Sequence, residues 1–195
     1  MKVVILEEHG IDFAFAGLGL SFSVTSSTIH EGLLVSPDDP LFDRMMCRAE
    51  KLSGLGGGHD KFLRSIMVNM AITAPMYWWK QFDTYKVGTV TQSESTMHTL
   101  MVFPINARMF EGEISPVFIK TMEDFRLAGD FDALNRHLPQ SFLQTRAVST
   151  NYAALQNIIR QRQNHKLPEW SLFVEEVLNQ CRYPKLLWPD CLRKS

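Results

Sequence analysis

The sequence predicts an α/β domain of the α+β kind, a single domain over residues 1-195, and three observations carry that reading. First, the stretch from Arg64 to Thr73 alternates strictly, with Ile66, Val68, Met70 and Ile72 on one face and Met67, Asn69, Ala71 and Thr73 on the other, as a strand does. Second, this strand runs through Ala74-Pro75 into an aromatic helix, a junction of the kind at which α/β proteins place ligands. Third, the segments opening at Pro40, Pro116, Asn151 and Pro168 repeat apolar residues at helical spacing behind a proline or a capping residue. A chain of 195 residues can bury a sizeable core without covalent or metal staples.

The elements follow in order. Lys2 to Leu6 reads as a short buried strand, and Gly10 to Phe22 as a tightly packed helix. Ser23 to Asp39, polar and ending in SPDDP, reads as a loop. Asp39 caps a helix from Pro40 whose buried stripe is Leu41, Met45, Ala49 and Leu52, and the run from Gly54 to Gly58 ends it. A helix stop and connection is favoured there over a phosphate loop: no GK[ST] follows, and His59 stands where a third glycine would be needed. His59 and Asp60 can border a site, but neither has a second metal-type ligand at helical or hairpin spacing, so no metal is expected.

After the strand, Thr73 is expected to cap the helix that Pro75 opens. Trp78, Phe82 and Tyr85 would then form its buried stripe, leaving Lys80, Gln81, Thr84 and Gly88 near another face. From Thr89 to His98 the chain offers hydroxyls, an amide, a carboxylate and an imidazole, interrupted by Val90 and Met97. This is a candidate site, although a solvated loop has the same composition. Ser115 is expected to cap the helix from Pro116, which uses Val117, Ile119, Met122 and Phe125 and stops near Gly129; Asp130 or Asp132 caps the next, and Pro139 interrupts it. Leu143 to Thr150 reads as a strand, and Asn151 caps a helix through Arg162 with Leu155, Ile158 and Ile159 inward. A cation at Arg162 suits the helix dipole. The last long helix buries Trp170, Phe173, Val174, Val177, Leu178 and Cys181, and Trp188 in the tail docks on this core or on a partner subunit.

Composition narrows the function. Lys plus Arg number 20 and Asp plus Glu 21, so no overall field favours nucleic acid or an anionic membrane, and an anion must be held by local groups. The opening MKVVILEEHG has too short an apolar run for a signal peptide, and no run approaches a membrane span, so a cytoplasmic location is expected. Cys47, Cys181 and Cys191 are odd in number and lack CxxC spacing, which argues against a disulfide framework or a structural zinc. Cys47 and Cys181 fall in predicted helices as expected buried thiols.

Two stretches share a spacing beyond these elements. Leu138-Pro139, Asn151, Leu155, Asn157 and Arg162 stand at fixed offsets. Upstream, in order, come His59, the strand, Ala74-Pro75, Lys80-Gln81 and Thr84-Tyr85-Lys86-x-x-Thr89-x-Thr91-Gln92. The set resembles the flavin-dependent thymidylate synthases, which methylate deoxyuridylate with a bound FAD. The resemblance implies a central, mostly antiparallel sheet flanked by helices, a homotetramer whose sites neighbouring subunits complete, and a pyrimidine nucleotide ligand. It implies FAD as cofactor, with NADPH and a folate one-carbon donor as co-reactants. It makes Arg162 the catalytic residue that polarises a ring carbonyl. It places His59, Lys86, Thr89, Gln92, Asn151 and Asn157 at the flavin, and Lys80, Gln81, Ser95 and Thr96 with Arg162 at the nucleotide.

The chain departs from the family signature R-H-R-x-x-S-x-N-E-x-S-x-R-Y. Of the cationic triplet only Lys86 remains, Gln92 replaces a carboxylate, and Thr96 or Met97 stands where an arginine grips phosphate. Each lost charge-assisted contact is worth about 1.5 to 3 kcal/mol. The expectation is therefore a flavin-dependent reductive methylation of a pyrimidine nucleotide at an altered substrate site, with Arg136 or Arg146 as recruits for the phosphate. The alternative is a catalytically silent nucleotide-binding or assembly protein on the same fold.

Overall fold

The computed structural model describes residues 1–193. Its centre is the predicted strand, β2 (Met67–Pro75), whose inward residues Val68, Met70, Ile72 and Ala74 are buried. β1 (Lys2–His9) and β4 (Leu143–Asn151) flank it, and β3 (Val90–Ser93) forms the far edge, giving the order β1-β2-β4-β3 with every pair antiparallel. Register sets the faces: Ile72 opposes Arg146 and Met70 opposes Val148, so Arg146 shares the inner face with the core. The outer face carries Ala71, Thr73, Ala147 and Ser149, with Leu6 and Val90 each 63% exposed beside them.

Helices cover the inner face. α1 (Ile11–Leu20) buries Ala14, Phe15 and Leu18. α3 (Pro40–Leu52), with Asp39 accepting from the Leu41 N–H at 2.7 Å, buries Phe42, Met45 and Ala49. α8 (Tyr152–Arg162) is capped as predicted, Asn151 Oδ1 accepting from the Ala154 N–H at 3.0 Å, and drives Leu155, Ile158 and Ile159 into the core. α4 (Met76–Phe82) and α9 (Pro168–Gln180) meet through Trp78, Phe82, Trp170 and Phe173, a contiguous aromatic cluster. α10 (Pro184–Leu187) buries both its leucines, and Trp188, ahead of α11 (Asp190–Arg193), packs on the same core. A second, smaller core around Leu100, Ile105, Phe110 and Met122 lies under α6 (Pro116–Leu127) and α7 (Phe131–Arg136), and Met76 touches both. Glu8, next to the last residue of β1, accepts from the Tyr152 hydroxyl at 2.6 Å and the Arg182 N–H at 2.9 Å, fastening the strand to α8 and to the segment after α9.

Several expectations are corrected. β1 runs on to His9 past a bulge between Ile5 and Glu7, and the loop after α1 contains α2 (Ser26–His30). Thr73 does not cap α4: it lies in β2, its hydroxyl 2.9 Å from that of Thr145, and Pro75 itself is the cap residue. α4 ends at Phe82, so Tyr85 lies on the following turn. The polar run from Thr89 is no plain loop, since it forms β3 and the one-turn α5 (Thr96–Thr99). Ser115 makes no side-chain cap, and Val117 is 75% exposed. Asp130, accepting from the Ala133 N–H at 2.9 Å, is the cap of α7. Cys47 is exposed, and Cys181 is buried just beyond the end of α9.

Candidate functional site

The aromatic cluster positions a polar group at its rim. Gln81 lies on α4 one turn after Tyr77, and Trp170 follows Glu169 on α9. Tyr77 donates its hydroxyl to Glu169, which fixes the two helices in register. Burial, and then the Glu169 carboxylate, push the Tyr77 phenol well above its ordinary range, so it stays a donor. With that register set, the Trp170 indole N–H donates to Gln81 Oε1 at 2.9 Å. Arg162, from the last turn of α8, donates to the same oxygen at 3.3 Å, and through Nε to the Tyr85 hydroxyl at 2.7 Å. Its guanidinium lies 4.7 Å from the centre of the Trp170 ring and 5.5 Å from that of Tyr85.

The orientation of the Gln81 amide follows from its partners. An indole and a guanidinium can only donate, so the carbonyl must face them and the amide nitrogen faces outward. That nitrogen and the second terminal nitrogen of Arg162 make no hydrogen bond among the described residues, and both residues are half-buried. Asn157 repeats the arrangement, its Oδ1 accepting from Gln161 at 3.1 Å and Arg160 at 3.4 Å, while Gln161 Oε1 accepts from Tyr85 at 3.0 Å. Asn151 spends its oxygen on the cap of α8 and points its nitrogen at Gly88, where a Cβ would lie 2.7 Å away. Gly88, at φ +70°, is the residue type that both the backbone and this approach require. The result is a rim of N–H donors suited to carbonyl and anionic acceptors.

The remaining predicted residues spread outward from this rim. Lys86 and Thr89 line, with Phe82, Asp83, Tyr85 and Thr91, a cleft of about 220 Å³, and the Thr89 hydroxyl is 2.9 Å from that of Thr150. Lys80 is exposed on α4. Gln92 faces the outer side of the sheet beside Ala147, while exposed Ser95 and half-buried Thr96 open α5. His59 is not gathered in; it lines a separate groove against α1. Asn157 lines a third recess with Gly56, Asp60 and Arg160. Neither recruit for phosphate is free: Arg136 is exposed and pairs with Asp132 at 3.4 Å. Arg146, its side chain 11% exposed, donates to Asp83 at 2.7 Å and to Gln144 at 3.0 Å, with its guanidinium 4.2 Å from the Trp79 ring centre. Among the described residues no group of three or more His, Cys, Asp or Glu could hold a metal ion, and no helix is long and apolar enough to cross a membrane.

Sequence reasoning missed Tyr85 and Trp170 as polar partners. The available signal was that a buried tryptophan must place its N–H on an acceptor.

No family model and no curated protein matches the chain. Solved structures do. Two are of the flavin-dependent thymidylate synthase ThyX from Helicobacter pylori, complexed with FAD and dUMP. One has a TM-score of 0.73 at 16% identity over 96% of this chain and 98% of that one; the other has 0.74 at 18% identity over 99% and 100%. The UMP/dUMP methylase PolB from Streptomyces cacaoi, bound with 5-Br dUMP, gives 0.64 at 10% identity over 96% and 94%. The chain has the flavin-dependent thymidylate synthase fold, an antiparallel four-stranded sheet flanked by helices.

Proposed function

We propose that this chain binds FAD and a pyrimidine nucleotide, and catalyses a flavin-dependent reductive methylation at a substrate site altered from that of its structural neighbours. The observation that carries the reading is the convergence of Gln81 and Arg162, from α4 and the end of α8, on one half-buried contact whose unspent groups are all donors. Gln81 Nε2 and the free Arg162 N–H groups would hold and polarise the ring carbonyls of a pyrimidine. Asn151, Asn157, Lys86 and Thr89 fit a flavin in donor chemistry: two unspent amide nitrogens, an ammonium and a hydroxyl would suit its carbonyl, ring-nitrogen and phosphate acceptors. The missing Cβ at Gly88 keeps the Asn151 amide clear. Gln92 and His59 are further candidates at the cofactor, and Lys80, Ser95 and Thr96 at the nucleotide.

Bound flavin, reduced by a nicotinamide such as NADPH, would supply the hydride, with a folate as one-carbon donor. The protein's part is orientation, polarisation and exclusion of water. A homotetramer belongs to this reading, because Leu6 and Val90 on the outer face of the sheet, and Val87 and Met97 to either side of β3 in the chain, expose apolar surface. A silent nucleotide-binding protein is favoured by one observation: Arg146, a cation on the inner face and a candidate for the phosphate, is held by Asp83.

Titration of the purified protein with FAD, followed by a turnover assay with deoxyuridylate, NADPH and methylene-folate, tests the reading. Saturable flavin binding and reductive methylation are expected. Flavin binding without turnover would select the silent reading, and a folded protein that takes no flavin would refute both.

A further inference from the structure

We propose that Trp170 is a specificity-determining residue. By holding the Gln81 carbonyl it turns the amide so that the site accepts the 4-oxo group of a uracil nucleotide and rejects the 4-amino group of a cytosine nucleotide. This rests on the reading of Gln81 and Arg162 as the pyrimidine contact. A glutamine does not by itself select between the two bases, because its amide carries both a donor and an acceptor and a half-turn exchanges them. Selection needs the amide to be held one way round.

The hold comes chiefly from the indole. Arg162 reaches Gln81 Oε1 at 3.3 Å, a long bond, whereas Trp170 Nε1 donates to it at 2.9 Å. The indole cannot follow a turning amide. Trp170 is fully buried, its ring centre 4.7 Å from that of Trp78 and 5.8 Å from that of Phe173. The hydrogen bond from Tyr77 to Glu169, one residue before it, ties the start of α9 to α4. A turned amide would aim its NH2 at two groups that can only donate, and would leave a buried indole N–H without its acceptor. The other acceptors of this network do not offer an amino group a substitute. Tyr85 accepts from Arg162 and donates to Gln161 Oε1, and the second Glu169 oxygen is buried. Of the two uracil carbonyls, the one at position 4 is conjugated with the C5–C6 double bond, so its polarisation is the one that serves a substitution at C5. It is also the carbonyl that cytosine replaces by an amine.

Calorimetry on the full chain with FAD added, comparing deoxyuridylate with deoxycytidylate, tests this. Deoxyuridylate should bind about tenfold or more tightly, the cost of setting an amino group against a fixed donor. Trp170→Phe keeps an aromatic ring beside Arg162 and removes the N–H, and should bring the ratio down to about threefold or less. Gln81→Glu keeps one oxygen for Trp170 and Arg162 and turns a second outward, so deoxycytidylate should become the tighter ligand. Gln81 is only half-buried, and this arm decides the matter should Trp170→Phe fail to fold. Loss of affinity for both nucleotides alike in Trp170→Phe, with their ratio unchanged, would reduce the indole to packing and overturn the proposal. So would equal binding of the two nucleotides by the parent protein, or a deoxyuridylate preference kept in Gln81→Glu. Binding of neither nucleotide by the folded parent protein would refute the pyrimidine site itself, and the inference with it.

Discussion

Replacement of Arg162 by lysine separates the site reading from a helix-end role. The arginine makes two hydrogen bonds that a lysine cannot reproduce together, to Tyr85 at 2.7 Å and to Gln81 at 3.3 Å, and lies over the Trp170 ring. The Tyr85 bond is short and charge-assisted, the Gln81 bond long, and both are half-exposed. With solvent screening, the two together with the ring contact sum to about 2 kcal/mol. For a chain of this length that is a fall in Tm of roughly 4 to 8 °C. Tyr85→Phe should cost about 1 kcal/mol by removing the acceptor for Arg162 together with the exposed donor to Gln161, and the double variant should show a coupling of about 1 kcal/mol in urea titrations. If Arg162 also polarises the pyrimidine, kcat should fall by about a hundredfold or more in Arg162→Lys with the fold intact. Additive stabilities would show that Arg162 and Tyr85 are not joined in solution. Lost stability with unchanged turnover would reduce Arg162 to a cation at the end of α8.

Gly88→Ala should destabilise the protein by about 1 to 3 kcal/mol and weaken FAD binding, because it strains a φ of +70° and drives a methyl toward Asn151; unchanged denaturation and flavin titrations would contradict this. Joint replacement of Cys47, Cys181 and Cys191 by alanine should leave flavin-dependent turnover largely intact. Burial, then the nearby Glu8 charge, push the Cys181 thiol up to about 12, and a thiol so placed is no thiolate at neutral pH; lost turnover in a folded triple variant would reverse the mechanism. Asp83→Asn should release Arg146 and tighten deoxyuridylate binding with a steeper salt dependence, and calorimetry showing equal affinity at two salt concentrations would refute recruitment. Glu123 is lowered to about 2, chiefly by its hydrogen bonds from Arg126, so its stabilisation is fully present above the ordinary carboxylate range and is lost as pH falls toward 2. Glu123→Gln should therefore flatten that part of the acid-denaturation profile, and an unchanged profile would exclude the pair.

What was legible in the sequence follows the burial. β2 and α8 were readable because one face of each is buried, which imposes a period of 2 on Val68, Met70 and Ile72 and a helical one on Leu155, Ile158 and Ile159. β3 was not, because all four of its residues are exposed on an edge, where pairing with β4 alone holds the strand and no apolar period is required. The extent of α4 was overread for a related reason. Tyr85 keeps helical spacing from Trp78 and Phe82, yet it reaches the same cluster from a turn, its ring 6.3 Å from Phe82 and 6.1 Å from Trp170.

The same division runs through the site. Gln81, Asn157 and Arg162 could be singled out as candidates because their types and offsets are local properties of two helices. What gives them a direction is not local: the indole of Trp170 and the phenol of Tyr85 lie 89 and 77 residues away from the groups they bind. Both were read as core because aromatic bodies at helical spacing usually are, and both are indeed packed; what reaches Arg162 and Gln81 is the one polar atom that each carries. The cationic triplet missing from the signature has a structural counterpart in this arrangement. Tyr85 stands in the middle position of that triplet and spends its hydroxyl on Arg162, so in the proposed site it would steady the guanidinium that reads the base. A site built this way should keep base recognition while phosphate recognition weakens, which is the direction that the Asp83→Asn titration measures.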